Sequence, residues 1–406
     1  MDGLRTLGQP AAIAAVRALL AAGFPHAVIL AGPAGVGKST LALDIAAALL
    51  CSADVGSRPC RACRACRMVE HSNHPDLHRL APSGAGAAIS IGGRGERGVR
   101  DLVSELALLP VEGGARVAII EAAQRMSEDA QSALLKTLEE PPAGTTLIVC
   151  ADDEERLLPT IRSRCVRVRL GPLGIRDVEA VLATRGVADA PTAARLARIT
   201  DGRPGHAIAY ALAPAAATIR GEIGRTLLDL LGAGITARLT GIRELAGRAA
   251  DLGRELDAGA ARATAIQAGE EGSGPGRGRG RPAGTGVGDG SAPGSGPGSV
   301  PEAGEDGPAA TRVPAAERRR GALLLMGIWR SVLRDLALAG HGAVGSVRDL
   351  ELVDDLGSTA AAISPARAGE LLRDLDLAGE RLEGNVSPEL VLDVLALHWT
   401  AGARAR

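Results

Sequence analysis

Gly32-Pro33-Ala34-Gly35-Val36-Gly37-Lys38-Ser39-Thr40 is the stretch from which the rest of the chain is read. It follows an apolar run, Ala27-Val28-Ile29-Leu30-Ala31, and opens a helical pattern carried by Leu41, Ile45 and Leu49. That is G-x-x-x-x-G-K-[ST] in its expected strand–loop–helix setting, a phosphate-binding loop. Glycines let backbone N–H groups turn toward phosphate oxygens, and the helix N-terminus adds partial positive charge. Gly32, Gly35 and Gly37 would shape the cradle, with Lys38 on the β- and γ-phosphates and Ser39, followed by Thr40, facing Mg²⁺. Glycine is abundant throughout the chain, so a chance pair of glycines carries little weight. Lysine carries more: of 46 basic residues only two are Lys, Lys38 and Lys136.

Beyond the loop's helix comes Cys51-x8-Cys60-x2-Cys63-x2-Cys66. Four thiolates with two-residue spacers can converge on one tetrahedral ion, and Zn²⁺ suits them best. Reduced surface cysteines or redox-active Cys-x-x-Cys pairs are the alternatives, but three evenly spaced cysteines plus a fourth over-supply a dithiol. His71, His74 and His78 follow and can substitute as ligands, although His74-Pro75-Asp76 reads better as the opening of a strand over Leu77 to Leu80. With four sulfurs the site is closed, which makes it scaffold and not chemistry.

Upstream, residues 10–22 have helical periodicity that Gly23 ends, and Leu7-Gly8-Gln9 can border a nucleotide base. Downstream, residues 83–98 are Gly-rich, a helical pattern runs from Val99 to Leu106, and Arg116-Val117-Ala118-Ile119-Ile120 is a continuous apolar strand of buried parallel type. In a P-loop ATPase that strand should end in an Asp for Mg²⁺, followed by a Glu that polarises water. Here it ends Glu121-Ala122. Glu121 can hold the ion at one methylene's extra reach; Ala122 cannot touch a water proton. A helix over about 127–139 starts on Ser127 and is closed by Pro141-Pro142. Thr146 to Cys150 and Val166 to Leu170 are further strands, with Cys150 a core thiol. Strands alternating with helices after a P-loop give a doubly wound α/β domain.

From Gly171 to about Ala213 short helices take over, and from about 218 to 266 the pattern is helical. Residues 269–315 are dominated by Gly, Pro, Ser and Ala, with Arg277, Arg279 and Arg281 among the glycines, a composition that reads as a disordered linker. Residues 316–400 return to helices, with Trp329 and Trp399 as core anchors.

Bulk numbers bound the function. A chain of 406 residues allows two to three domains. Hydrophobic residues make up 46% and aromatics 1%, so the cores are built from Leu, Val, Ile and Ala. A net charge of −1 supplies no global field for DNA or membrane. No run approaches a membrane span and no signal peptide is legible, so the reading is soluble and cytoplasmic. In that compartment a cysteine cluster is more often metal-binding than disulfide-bonded.

Taken together the motifs resemble the bacterial AAA+ clamp-loader subunits, and within them the delta-prime type of DNA polymerase III. The residues that carry the resemblance are His26-Ala27, the four-cysteine module, His74-Pro75-Asp76-Leu77, the stretch from Ser132 to Pro142 (Ser-Ala-Leu-Leu-Lys-Thr-Leu-Glu-Glu-Pro-Pro), and Thr160-Ile161-Arg162-Ser163-Arg164-Cys165. It extends over about 7–210. It is weaker over 316–400, where Trp329, Arg334-Asp335-Leu336, Asn385 and Pro388-Glu389-Leu390 carry it.

The resemblance implies that Arg164 is an arginine finger given in trans to ATP on a neighbouring subunit. Without it, an Arg pairing with a carboxylate at a strand start is the simpler reading. The family's motor subunits carry Asp-Glu where this chain has Glu121-Ala122, and a lid Arg at the position of Gly205, for which Arg203 is a partial substitute.

The expected architecture is an α/β P-loop AAA+ domain over 1–170 with a zinc module at 51–66. A helical lid over 171–213 follows, then an all-α collar over 214–268 and 316–406 interrupted by the 269–315 insert. The expected function is delta-prime-like: helping to load the sliding clamp on primed DNA, with little or no ATP hydrolysis of its own. The expected cofactors are structural Zn²⁺ and, in the phosphate loop, ATP or ADP with Mg²⁺. The expected partners are the motor subunits and delta, with the clamp and primer–template DNA reached through the assembly. Two alternatives stand beside it: an active gamma/tau-type motor, and a zinc-dependent nucleic-acid-binding protein.

Overall fold

The computed structural model describes residues 3–82, 88–93, 97–112, 114–268, 314–383 and 386–400. The insert call over 269–315 falls outside these apart from residues 314 and 315. Arg277, Arg279, Arg281 and Asn385 also lie outside the described residues.

The chain opens with α1 (Pro10–Ala22), β1 (Ala27–Ala31), α2 (Lys38–Leu50), α3 (Arg64–Glu70) and β2 (Leu77–Leu80). It continues with α4 (Val99–Leu106), β3 (Arg116–Ile120), α5 (Glu128–Glu139), β4 (Thr145–Ala151), α6 (Pro159–Arg164) and β5 (Val166–Arg169). The five strands form one sheet in the order β2-β3-β4-β1-β5, every pair parallel. Strands β1, β3 and β4 are buried along their whole length, as the continuous apolar runs require. Edge strand β5 buries only Val168, so charged residues alternate along it.

Apolar clusters cover both faces. One packs α1 and α2 against Val28, Leu30, Val117 and Ile148; the other packs α4 and α5 against Ile29, Ala118, Ile120 and Val149. Cys150 lies in the first, and burial pushes its thiol up to about 12, as a core thiol should behave. The parallel arrangement puts every strand's C-terminal end on one side, and ligands bind on that side of open α/β sheets.

Residues 160–164 form most of the short helix α6, and Cys165 leads out of it into β5. Pro159 at its first turn favours that start. Ser127 caps α5 as expected, its hydroxyl accepting from Ala130 N at 3.2 Å.

The remaining elements are helical: α7 (Ile175–Arg185), α8 (Ala190–Ile199), α9 (Pro204–Leu212), α10 (Pro214–Leu231), α11 (Ile235–Ala268), α12 (Ala315–Gly340), α13 (Val353–Ala360), α14 (Pro365–Glu383) and α15 (Pro388–His398). The single helical pattern read over 218–266 is two helices, because Gly232-Ala233-Gly234 breaks it. One apolar cluster runs through all of these helices from Leu173 to Trp399. Trp329 and Trp399 are each 1% exposed and meet edge to face at 4.9 Å, with Trp399 Nε1 donating to Leu227 O at 2.9 Å. Among the described residues no helix is long and apolar enough to cross a membrane.

Candidate functional site: a phosphate loop, a four-sulfur cluster and an outward arginine

The turn from β1 into α2 is held by glycines in the left-handed region: φ is 151° at Gly32, 81° at Gly35 and 104° at Gly37. At Gly35 a side chain is excluded twice over, since an added Cβ would lie 2.7 Å from the His206 ring. Lys38, 6% exposed, donates to Gly32 O at 2.6 Å and Pro33 O at 2.8 Å and pairs with Asp152 at 2.7 Å. An ammonium has three hydrogens, and all are used.

Ser39 Oγ donates to Glu121 Oε2 at 3.2 Å, so the two side chains expected around Mg²⁺ are neighbours. Arg79 Nε donates to the other Glu121 oxygen at 3.1 Å and draws off part of its charge. Ala122 follows in the left-handed region with φ 48° and offers no proton acceptor in its side chain. The donor set fits a phosphate chain: a glycine cradle, a buried ammonium, and a hydroxyl–carboxylate pair for a hard cation. A bound Mg-nucleotide would be held by Gly32, Gly35, Gly37, Lys38, Ser39 and Glu121, with Thr40 facing the adjacent cavity.

That cavity, about 200 Å³, lies beside the loop and is lined by Leu7, Val36, Gly37, Thr40, Gly205 and Ile208 among others. Of Leu7-Gly8-Gln9, Leu7 lines the cavity. Gln9 Nε2 donates to Val36 O at 3.2 Å and Gly171 O at 2.7 Å, tying the loop to the chain that leaves β5.

The lid position assigned to Gly205 lies over the loop, while the residues that complete this roof were not legible in the sequence. Gly205 N at the start of α9 donates to Gly35 O at 2.8 Å, and His206 covers Gly35. Burial, reinforced by Arg203, lowers the His206 pKa to about 4, so the ring over the loop is neutral. Ala260 and Ala263 of α11 also line the cavity, more than two hundred residues beyond the loop. Asp152, directly after β4, was missed as well; only its position at the end of a central strand marked it.

The four cysteines converge. Among the described residues Cys51, Cys60, Cys63 and Cys66 place their sulfurs within 4.8 Å of one another, and Cys51 Sγ lies 3.8 Å from Cys63 Sγ. Tetrahedral Zn²⁺ with Zn–S of about 2.3 Å sets its sulfurs about 3.8 Å apart, so the geometry fits zinc. Backbone N–H groups point at the sulfurs: Cys63 N to Cys60 Sγ at 3.3 Å, Cys66 N to Cys63 Sγ at 3.4 Å, Cys60 N to Cys51 Sγ at 3.5 Å. At Cys63 burial opposes the thiolate, but N–H groups from Cys66 and Ser52 outweigh it and the thiol falls to about 5. Burial pushes Cys66 the other way.

Two of the three histidines, His74 and His78, are engaged elsewhere. His74 Nδ1 accepts from Asp76 N at 3.1 Å, and His78 pairs with Glu105 at 2.8 Å. Asp76 itself accepts from Val111 N at 2.7 Å and Glu112 N at 3.0 Å, so His74-Pro75-Asp76 fixes the entry to β3.

Arg164 ends α6. Its side chain, 36% exposed, pairs with Glu139 at 2.7 Å and donates to Thr160 O at 3.1 Å. Val166 pairs in register with Val28, so Arg164 sits beside the N-terminal end of the sheet while the phosphate loop leaves its C-terminal end. The strand from Val28 to Gly32 spans roughly 13 Å. Arg164 cannot serve its own loop.

Comparison with known proteins adds an independent line. Residues 8–174 match the family model described as DNA polymerase III, delta subunit. The DNA polymerase III subunit delta′ of Pseudomonas aeruginosa is 39% identical over 142 residues, which are 35% of this chain and 42% of that protein. The DNA polymerase III subunit tau of Salmonella typhimurium is 31% identical over 182 residues, 44% of this chain and 27% of that protein. The chain therefore spans less than half the length of these two relatives. Among solved structures, the Thermotoga maritima RuvB Holliday junction branch migration motor aligns with 65% of this chain and 88% of its own at 18% identity and a TM-score of 0.37. The resemblance to delta-prime clamp-loader subunits stands, and it rests on the phosphate-loop region.

Proposed function

We propose that the chain is a delta-prime-like subunit of a DNA polymerase III clamp loader, cytoplasmic, that completes a neighbouring subunit's ATP site through Arg164 and hydrolyses little or no ATP itself. The observation that carries this reading is the separation of the two functions. An exposed guanidinium stands at one end of the sheet, and a phosphate loop with Ala122 in place of a base stands at the other. A guanidinium binds two phosphate oxygens at once and neutralises charge as it develops, worth roughly 10³–10⁵ in rate. Glu139 would hold Arg164 until a neighbour's phosphates replace it, and an exposed pair of this kind is weak enough to exchange.

The own loop would bind ATP or ADP with Mg²⁺ as a structural ligand, with Arg203, at the start of the lid helix α9, as a further cation. The cysteine module would hold Zn²⁺ as scaffold. Motor subunits and delta are the direct partners in this reading, and the clamp and primer–template DNA are reached through the assembly.

The test is reconstitution with motor subunits. Arg164→Ala should lower the assembly's DNA-stimulated ATPase by roughly a hundredfold or more at that site, with assembly itself unchanged. An unaltered rate would refute the role. The gamma/tau-type motor is the second reading, favoured by the intact Ser39–Glu121 pair and by the tau relative. Single-turnover hydrolysis by the isolated chain, abolished by Lys38→Ala, would select it.

A further inference from the structure

Arg61 stands between two of the clustered cysteines, Cys60 and Cys63, and its side chain is spent on other parts of the chain. Its backbone lies in the left-handed region, φ 58°, which a residue with a Cβ adopts only where its surroundings hold it. Here the turn closes on sulfur, with Cys63 N donating to Cys60 Sγ at 3.3 Å. The guanidinium, 17% exposed, reaches three groups. Nε donates to Gly3 O at 2.6 Å, Nη2 pairs with Asp44, and Nη1 lies 3.5 Å from Glu70 Oε1. Gly3 is pressed on the same module, where an added Cβ would lie 2.0 Å from Pro59 O. The chain then passes Asp44, which accepts from Arg5 N at 3.1 Å and Thr6 N at 2.9 Å. Arg5, Thr6 and Leu7 form one wall of the cavity beside the phosphate loop, a cavity they share with Gly37, Thr40 and Ile208.

We infer that Arg61 is a positioning residue for that cavity, linking the four-cysteine cluster to the wall at residues 5–7. Loss of metal from the cluster then loosens the hold on a nucleotide while the phosphate loop stays intact, an inference that rests on the nucleotide and zinc readings proposed above. Four thiolates on one ion fix the turn that presents Arg61; without the ion, Arg61 is free to leave the left-handed region. Its side chain would then give up a fork that serves a carbonyl and a carboxylate at once. Asp44, 1% exposed, would lose the cation beside it, and Gly3 would lose its anchor. The phosphate cradle has other supports, since Lys38 takes its partners from Gly32 O, Pro33 O and Asp152. The effect is therefore confined to the part of a ligand that extends from the phosphates into the cavity.

Calorimetric titration of the full chain with Mg-ADP and with Mg-tripolyphosphate separates the two parts, because tripolyphosphate has nothing to place in the cavity. Wild type, wild type stripped with a zinc-selective chelator, Arg61→Gly and Arg61→Lys are compared, with a thermal melt and the metal content of each. Gly accepts φ 58° without strain, so the turn and its metal stay. Lys keeps the charge beside Asp44 without the fork, and it carries the test if Arg61→Gly does not fold. Arg61→Gly should weaken ADP by about tenfold and tripolyphosphate by less than about twofold, and Arg61→Lys should show the same split at about threefold for ADP. Stripping the metal should reproduce the split in wild type and add nothing in Arg61→Gly. Parallel losses for both ligands, an unchanged ADP affinity, or effects of stripping and substitution that add would overturn the inference. Wild-type chain that carries no metal would overturn the zinc reading and the link with it. Binding of both ligands that is indifferent to Lys38→Ala would overturn the nucleotide reading of the loop, a result recognisable apart from the split.

Discussion

Asp44 shows how much one buried carboxylate can organise. It is 1% exposed on the inner face of α2, and it accepts from Arg5 N at 3.1 Å, Thr6 N at 2.9 Å and Thr6 Oγ1 at 2.7 Å. Arg61, from the cysteine module, pairs with the same group. One side chain therefore ties the N-terminal segment and the cysteine module to the helix that starts at Lys38. Deleting a partner from such a buried set leaves charge and N–H groups without water or a substitute. Asp44→Ala should cost about 3 kcal/mol in a denaturant titration, against less than about 1 kcal/mol for removing the exposed partner in Arg330–Asp376. Equal effects would show that Asp44 is a bystander. Nothing in the sequence marks Asp44, because its partners lie 17 to 39 residues away and are brought together only by the fold.

At the scale of elements, the cysteine module is a small structure with almost no core of its own. Its helix α3 has seven residues and buries only Ala65, Cys66 and Val69. Cys51 caps the end of α2, so the four-cysteine cluster and the phosphate-loop helix share a residue. Metal binding in so small a unit supplies folding free energy directly. Elemental analysis should find one zinc per chain, and chelation should lower the melting temperature by several degrees. A metal-free chain with an unchanged melt would refute the structural role.

What was legible at this scale was the continuous apolar strands, the glycine-lysine loop and the cysteine spacing, all patterns confined to a few consecutive residues. What was not legible was contact between elements. Gly205 on Gly35, His206 over the loop and Ala263 lining the same cavity as Thr40 depend on how α9 and α11 fall across the sheet, and no local pattern encodes that approach. Asp152 belongs to the same class: a polar residue after a strand is ordinary until β4 is known to lie beside β1.

Across the whole molecule the two long helices α11 and α12 form the spine of the C-terminal part. Arg254 and Asp257 in the second half of α11 pair with Glu317 and Arg320 in the first turns of α12, so the far part of one helix lies against the start of the next. Gly321 permits the closest approach, an added Cβ lying 3.2 Å from Ala246 O. The pairing is made between described residues on both sides of 269–313 and uses none of that segment. From Asp257, α11 continues eleven residues to Ala268, a rise of roughly 16 Å that a dozen flexible residues can retrace to Ala315. Loop-closure entropy changes slowly with length, and a roughly fourfold shortening is worth about 1 kcal/mol in favour of the folded state. Replacing 269–313 by about a dozen Gly/Ser residues should therefore leave the chain folded and slightly more stable, with nucleotide affinity unchanged. A large loss of stability would mean that the segment packs on the helices. A loss of nucleotide affinity alone would mean that it acts at the cavity where α11 passes the phosphate loop.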